Sequence, residues 1–203
     1  MTARTRTIAS CTLVLALLLG ACRSMSLPRP EVAERARAIE SLSGRLRVSL
    51  SGPGTRGRAT VLFAFRRPDA LRLEVPGPTG PRLTLLARDH RLLASFPHDR
   101  AYWEGEATAQ ALEVVLGVGL TPSEVMDLLV GVAPGSVRDY RASWGAGASL
   151  PRQVSARLAD GARLSVVLEE AEVGGSFSPR VFEEPARAGF RPLGDHEVRS
   201  LWR

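Results

Sequence analysis

The chain has 203 residues, of which 44% are apolar, so its length predicts one domain with a terminal extension and its composition does not fit global disorder. It contains no lysine, so all 27 basic residues are arginine, and the net charge is +6. The arginines are interspersed with acidic residues and form no basic run with interleaved aromatic side chains. We therefore predict no nucleic-acid binding and attribute the charge to codon bias rather than to an anionic partner.

The first 21 residues have the pattern of an export signal. Arg4 and Arg6 form a positive segment, and residues 11–19 form an apolar segment that is too short to span a bilayer, which takes about 20 apolar residues. The segment ends in residues 19–22 (LGAC), which resemble the bacterial lipoprotein lipobox, a small-residue cleavage site directly before a cysteine. This resemblance implies cleavage before Cys22 and acylation of Cys22. The alternative is an ordinary secretory signal that happens to end at a cysteine.

Lipidation at this position has consequences for location and stability. Several acyl chains, at about 0.8 kcal/mol per buried methylene, hold a protein stably at a membrane. Cleavage also removes Cys11, so Cys22 is the only remaining cysteine and no intramolecular disulfide can form. Arg23 stands where an aspartate resembles an inner-membrane retention signal in many Gram-negative bacteria, which favours the periplasmic face of the outer membrane. The predicted organisation is a signal peptide, a lipidated tether and one domain, over residues 1–21, 22–30 and 31–203.

The predicted domain begins with a helix and continues as a series of strands. Residues 31–42 carry apolar residues at helical spacing, and Gly44 is predicted to end this helix. Alternating apolar residues then predict a half-buried strand over residues 46–50. Four short antiparallel strands follow without a helix between them, over residues 59–65, 71–75, 83–86 and 92–96. Such a series builds a curved meander whose apolar face must be covered by side chains or by a ligand.

Two short apolar helices are predicted in the middle of the chain, after a strand at residues 100–104. The first covers residues 109–116. The second begins at Pro122, where Thr121 is a good N-cap and Glu124 completes a capping box, and it runs to residue 131. Three more strands are predicted over residues 137–144, 153–158 and 163–168. A loop is predicted over residues 169–178, and three apolar residues are predicted to pair at the sheet edge: Val181, Phe182 and Val198.

The order of these elements resembles the LolB family of outer-membrane lipoproteins. The similarity lies in residues 77–80 (GPTG), an apolar strand, residues 102–103 (YW), residues 117–122 (GVGLTP) and residues 128–134 (LLVGVAP). The family receives other lipoproteins from the periplasmic carrier LolA. The resemblance implies a mainly β fold with some α, an incomplete antiparallel β-barrel wrapped over short apolar helices, which encloses a cavity for acyl chains. It also implies a LolA-like carrier as a partner.

One position departs from the family pattern. LolB has a Pro-Leu-Gly turn whose leucine is implicated in inserting cargo into the membrane, and the matching residues here are Pro78, Thr79 and Gly80. We expect this turn to face the membrane. A threonine offers much less apolar area to lipid than a leucine. The resemblance therefore favours acyl-chain binding over insertion.

A barrel that is wide or open leaves a cavity, whereas a closed barrel of about eight strands is filled by its own side chains. Residues on the inward positions of the meander and on the two helices are candidates to line such a cavity. Each of them can instead simply pack against its neighbours, as buried aliphatic residues usually do. The candidates are Phe63, Phe65, Leu73, Val75, Leu83, Leu85, Leu92, Phe96, Leu116, Val125, Leu128 and Leu129.

The three histidines each neighbour an aspartate, a pairing that can orient an imidazole for catalysis or metal binding. The pairs are Asp89-His90, His98-Asp99 and Asp195-His196. Each falls in a predicted turn, and the chain has no metal-ligand spacing and no nucleophile motif. We therefore predict no catalytic residue, no metal site and no cofactor.

The leading hypothesis is a lipid-anchored, periplasm-facing lipoprotein that binds acyl chains of lipoproteins or similar apolar ligands and assists outer-membrane lipoprotein localisation. The first alternative is a non-catalytic accessory lipoprotein with a filled barrel, docked on a secretion or motility complex of the envelope. The second alternative is a membrane-tethered hydrolase that uses His90, His98 or His196.

Overall fold

The computed structural model describes residues 34, 36–52 and 55–201. The predicted signal peptide, Cys22 and the tether lie outside the described residues. Ten strands and three α-helices lie entirely within the described residues, and we number them in chain order. The strands are β1 (Ser41–Gly52), β2 (Thr55–Arg66), β3 (Ala70–Gly77), β4 (Gly80–Arg88), β5 (Arg91–Phe96), β6 (Ala101–Glu106), β7 (Arg138–Trp144), β8 (Pro151–Arg157), β9 (Arg163–Val173) and β10 (Arg191–Pro192). The helices are α1 (Ala109–Leu116), α2 (Pro122–Leu129) and α3 (Asp195–Ser200).

All ten strands belong to one curved sheet that does not close. Their order is β10-β6-β5-β4-β3-β2-β1-β9-β8-β7. Every neighbouring pair is antiparallel except β10 and β6, which are parallel. The predicted meander corresponds to β2 through β5, because the turns between these strands are too short for any other connection. The predicted fold class, an incomplete antiparallel barrel over short apolar helices, is confirmed.

The main core joins the inward residues of the sheet to the helices. Phe65, Leu85 and Leu92 are fully buried in it, as are Leu112 of α1 and Met126 of α2. Both helices have the boundaries that their capping residues dictate. The Thr108 side chain accepts from the backbone N–H of residue 111, and α1 ends at Gly117 in the left-handed conformation. The predicted capping box of α2 is present.

The predicted helix over residues 31–42 is wrong at its C-terminal end. Glu34, Ala36 and Arg37 are helical, but β1 already begins at Ser41. Gly44, which was predicted to end the helix, lies inside β1 next to a bulge in the β1–β9 pairing. A Cβ added there would collide with the carbonyl oxygen of Glu170. The glycine therefore permits a close approach of two strands rather than the end of a helix.

The predicted loop over residues 169–178 is wrong in its first half, because β9 continues to Val173. Its first two acidic residues face arginines of β1: Glu169 forms an ion pair with Arg47, and Glu170 lies 3.4 Å from Arg45. Cross-strand pairs of opposite charge stabilise a strand that has few apolar residues. Charge pairing across the sheet, which cannot be read from one strand alone, explains the extension.

The prediction for the C-terminal apolar residues is also wrong. Val181 and Phe182 belong to a single 3-10 turn (Pro179–Phe182), and Phe182 packs with Ala64, Ala70 and Leu86 in a second apolar cluster. Val198 is buried on α3 in the main core. The strand at this edge of the sheet is β10, whose proline suits an edge position. No helix in the described part of the chain is long and apolar enough to cross a bilayer.

Candidate functional site

A cavity of about 730 Å³ lies between the concave face of the sheet and helices α1 and α2. Its volume falls within the range of about 300–1,000 Å³ that is usual for small-molecule sites. The sheet contributes aliphatic residues from five strands: Leu46, Val48 and Leu50 of β1, Ala59 and Val61 of β2, Leu73 and Val75 of β3, Leu83 of β4, and Leu164 and Val166 of β9. The helices and the segment between them contribute Leu112, Val114, Leu116, Val118, Leu120, Val125, Leu128 and Leu129. The lining is therefore mostly aliphatic.

The cavity lies where two neighbouring strands separate. The β1–β2 pairing extends over the full length of both strands, to Gly52 and Thr55. The β2–β3 pairing, in contrast, runs from Arg66 and Ala70 only to Leu62 and Glu74. Beyond that point residues of both strands line the cavity. The divergence of β2 and β3 gives the sheet a gap that a continuous hydrogen-bond ladder would close.

Seven of the twelve residues predicted to line a cavity do so. They come from β3, β4 and the two helices: Leu73, Val75, Leu83, Leu116, Val125, Leu128 and Leu129. The structure places the other five in the packed core: Phe63, Phe65, Leu85, Leu92 and Phe96. These five residues are buried in the main core and do not line the cavity, and three of them are phenylalanines, whose rings are large enough to fill the space between the sheet and the helices.

The sequence prediction missed the side of the cavity formed by β1 and β9. Leu46, Val48 and Leu50 face the cavity at alternate positions of β1, and Leu164 and Val166 do so on β9. Both alternations were visible in the sequence and were correctly assigned to strands. The pairing of β1 with β9, which places them beside the meander, joins residues more than 110 positions apart. No local pattern indicates such a pairing.

Charged residues form the polar part of the cavity lining. Arg56 and Arg58 belong to β2, Glu113 to α1, and Asp160 to the turn before β9, whereas Arg199 belongs to α3. All five are exposed to solvent. Arg56 and Arg58 alternate on β2 with the cavity-facing Ala59 and Val61, and the Arg58 side chain donates to Ser49 on the opposite face of the sheet. The cavity thus combines an aliphatic interior with exposed charged side chains near its opening, from Glu113, Asp160 and Arg199.

Helix α2 is fixed to the sheet at its C-terminal end. A side-chain nitrogen of Arg67, which follows β2, lies 2.6 Å from the Asp127 carboxylate. Arg67 also donates to the carbonyl oxygen of Ile39 and lies over the Phe65 ring. Both charged side chains are only about a quarter exposed, at 22% and 28%. This ion pair connects the end of β2, beside the packed core, to the helix α2 that covers the cavity.

The N-terminal end of α2 is fixed by its capping box. The Thr121 backbone N–H donates to a Glu124 carboxylate oxygen at 2.8 Å, and the Glu124 backbone N–H donates to the Thr121 hydroxyl at 3.2 Å. Burial alone would raise the pKa of Glu124. Hydrogen bonds from Ser136 and Thr121 to the ionised carboxylate outweigh that effect and hold its pKa below the usual 4.5. Val125, the next residue, lines the cavity.

The turn between β3 and β4 consists of exposed residues. Pro78, Thr79 and Gly80 lie at the tip of this hairpin, just beyond Val75 and Leu83 of the cavity lining. The three histidines do not come together. His90, His98 and His196 are exposed on separate elements, and no group of three or more potential metal ligands occurs in residues 34, 36–52 and 55–201.

No protein-family model and no curated protein matches this chain. Among solved structures, a LolA superfamily protein from Nitrosomonas europaea has a TM-score of 0.43 and 6% identity, over 78% of this chain and 98% of that one. A DUF1329 family protein from Desulfovibrio piger has a TM-score of 0.45 and 9% identity, over 75% and 95%. A putative outer membrane lipoprotein-sorting protein domain from Vibrio parahaemolyticus has a TM-score of 0.41 and 6% identity, over 75% and 94%. Likenesses this distant do not assign the chain to a family or a function.

Proposed function

We propose that the protein is a lipid-anchored lipoprotein on the periplasmic face of the outer membrane, which binds acyl chains of lipoproteins or similar apolar ligands in the cavity. In this role it assists outer-membrane lipoprotein localisation, with a LolA-like carrier as its partner, and performs no covalent chemistry. The anchor is Cys22, by the lipobox resemblance of residues 19–22.

The observation that carries this proposal is the aliphatic cavity of about 730 Å³ under α1 and α2. An aliphatic surface that faces water costs free energy in proportion to its area, and a hydrocarbon chain relieves that cost without any specific hydrogen bond. The interior residues are suited to hydrocarbon, and the two carboxylates among the lining residues, Glu113 and Asp160, are exposed to solvent. We therefore propose that the protein binds and transfers an apolar ligand rather than catalysing a reaction.

The exposed turn at Pro78, Thr79 and Gly80 is the part of the protein that we propose to contact the membrane. This turn lies at the end of the hairpin whose strands supply Val75 and Leu83 to the cavity. A hairpin tip in this position is suited to contact a membrane surface while a ligand enters or leaves. Because Thr79 is smaller and more polar than leucine, the proposed role is to hold and deliver a ligand rather than to drive its insertion.

The accessory-lipoprotein alternative rests on a barrel filled by its own side chains. The cavity favours ligand binding over that alternative, because a docking module has no need for an aliphatic cavity that opens to solvent. A stable envelope-protein partner, recovered together with the protein in place of lipid, would favour the docking role instead.

The experiment is to recover the full-length protein from membranes and identify bound lipid by native mass spectrometry, for the wild type and two variants. Ala59→Phe places a phenyl group at an inward position that lines the cavity. Thr60→Phe makes the same addition at the next residue of β2, which is exposed and does not line the cavity.

We expect bound lipid or lipoprotein on the wild type and on Thr60→Phe, and its loss from Ala59→Phe. The far-ultraviolet circular dichroism of the three proteins should match, since both changes suit a strand. A wild-type protein that carries no lipid or lipoprotein, or an Ala59→Phe variant that retains its full lipid load, would overturn the proposal.

A further inference from the structure

The convex face of the sheet, opposite the helices, carries a row of arginines. Residues that lie directly opposite each other in antiparallel strands point to the same face of a sheet. Arg56 of β2 is opposite Ser51 of β1, and Ser51 is opposite Arg163 of β9. Arg163 is opposite Arg157 of β8, and Arg157 is opposite Arg138 of β7. The four arginines thus lie in one row across five strands, about 19 Å wide at about 4.8 Å between strands.

A second row lies next to the first on the same face. Its members, from β2, β1, β9, β8 and β7, are Arg58, Ser49, Ser165, Ser155 and Arg141. Leu164 lies between Arg163 and Ser165 on β9 and lines the cavity, so the two rows point away from the cavity. We call the six exposed arginines of these rows the arginine face: Arg56, Arg58, Arg138, Arg141, Arg157 and Arg163.

Little of the charge on the arginine face is neutralised. Within the part of the chain that the structure describes, only Arg157 of the six has an ion-pair partner, Asp139 at 3.0 Å. Arg157 also lies directly opposite two other arginines, Arg163 and Arg138. Like charges directly opposite each other destabilise a sheet. The fold therefore holds these arginines together against their mutual repulsion, which an anionic partner would relieve.

Arginines on the other half of the convex face are engaged within the protein. Arg72 of β3 lies 3.2 Å from Glu74 and donates to the backbone carbonyl oxygen of Val181. Arg91 of β5 forms an ion pair with Glu104 of β6. Arginines scattered along the sequence favoured codon bias as the origin of the positive charge. The fold, however, gathers six of them from four strands on one face, where few acidic residues compensate them.

We infer that the arginine face docks on the surface of a bilayer that contains anionic phospholipids. A guanidinium group can donate two parallel hydrogen bonds to phosphate oxygens, and it keeps its charge at any physiological pH. None of the six residues of the face has an aromatic neighbour in the two rows, whereas single-stranded nucleic acid is bound by stacking on aromatic side chains. A lipid surface needs only an array of cations.

The position of the arginine face also suits a membrane. Arg163 begins β9, directly after the turn that contains Asp160, and Asp160 lies near the opening of the cavity. Docking of the arginine face therefore brings the cavity opening close to the bilayer. This inference goes beyond the proposed function, because it concerns the outer surface of the sheet and holds whatever ligand the cavity binds.

The test reconstitutes the full-length protein into vesicles and measures energy transfer from a dye on the protein to a labelled lipid. Ser143→Cys places the dye on an exposed residue of β7 beside the arginine face, and protein without this change gives the background. The vesicles contain phosphatidylcholine alone or an equal mixture of phosphatidylcholine and phosphatidylglycerol. We expect more transfer in the anionic vesicles. About 1 M salt, where the Debye length is about 3 Å, should remove the difference.

Matched variants locate the contact. Arg56→Gln/Arg163→Gln removes two cations of the first row. At about fivefold per arginine, the docking equilibrium should fall about 25-fold, and transfer in anionic vesicles should approach the level in neutral ones. The control Arg37→Gln/Arg180→Gln removes two exposed arginines outside the arginine face and should leave transfer unchanged. Urea denaturation should show the first variant at least as stable as the wild type, because it relieves repulsion with Arg157.

Three results would overturn the inference: equal transfer in neutral and anionic vesicles, anionic preference that survives Arg56→Gln/Arg163→Gln, and equal losses in the two double variants. The last would mean that net charge, rather than the arginine face, attracts the protein to the membrane. Failure of the proposed function is a separate result, because it is measured as the absence of bound lipid in mass spectrometry. Either outcome can occur without the other.

Discussion

The two halves of the sheet differ in what fills their concave face. Around β5, β6 and the second half of β2 the space is filled by large side chains, among them Phe65, Phe96 and Trp103. Around β1, β9 and the first half of β2 the lining consists of leucine, valine and alanine, and no aromatic residue of the described chain lines the cavity. The same curved sheet therefore produces a packed core at one end and a cavity at the other, and side-chain size decides which.

The strongest test of this contrast compares one residue from each half. Phe65→Ala removes a fully buried ring, so we expect the free energy of unfolding to fall by about 3–5 kcal/mol. Val48→Ala shortens a half-buried side chain that already faces the cavity, so its cost should stay below about 1.5 kcal/mol. Urea denaturation of both variants measures the two values. Equal costs would show that the cavity half is packed as tightly as the core.

The same contrast explains how much of the structure could be predicted. Local patterns were sufficient for the meander, for both capped helices and for the lining residues Leu73, Val75 and Leu128. They could not separate these from Phe63 and Phe65, because inward positions of a strand alternate in the same way whether they face a cavity or a neighbour.

Most of the features that local patterns did not predict depend on pairing between distant segments of the chain. The contribution of β1 to the cavity depends on its position between β2 and β9, and the second half of β9 depends on Glu169 and Glu170 finding Arg47 and Arg45. The role of Gly44 could not be predicted for a related reason. A side chain at this position is excluded by the backbone of Glu170, which is far away in the sequence. Periodicity within one segment carries no information about such partners.

A second prediction concerns the contact that joins the packed half to the helix over the cavity. Asp127→Asn removes the anion beside Arg67, whose side chain is only 22% exposed, so we expect a loss of about 1–2 kcal/mol in the free energy of unfolding. Backbone amides of α2 should exchange faster with solvent than in the wild type. Hydrogen exchange measured by mass spectrometry resolves this segment.

The matched control is Asp139→Asn. Asp139 pairs with Arg157 at 3.0 Å, but on the surface, where the two side chains are 68% and 44% exposed. We expect that change to cost less than about 0.5 kcal/mol and to leave α2 unaffected. If both variants lose the same stability, the Arg67–Asp127 pair is an ordinary surface contact and does not tie α2 to the packed half.

The smallest predicted effect lies at the other end of α2, beside the cavity. The pKa of Glu124 is held below 4.5 in the folded protein by hydrogen bonds from Ser136 and Thr121, despite burial that would raise it. The folded state therefore binds a proton less readily than the unfolded state. The stability from this group is present above pH 4.5 and is lost as the pH falls through the folded-state pKa. Glu124→Gln should remove this component of the acid dependence.

The difference between wild type and Glu124→Gln isolates Glu124 from the exposed carboxylates that titrate in the same direction, and salt tests what lowers its pKa. Exposed Glu104 and Glu197 also have lowered pKa values, with Arg91 and the Gly194 backbone as the respective leading causes. At about 1 M salt the Debye length is about 3 Å, which screens exposed charges strongly but leaves short hydrogen bonds within a capping box largely intact. We therefore expect the difference in acid dependence between wild type and Glu124→Gln to persist at high salt. Its disappearance would mean that the cap, and with it the cavity end of α2, is held by surface electrostatics rather than by hydrogen bonds.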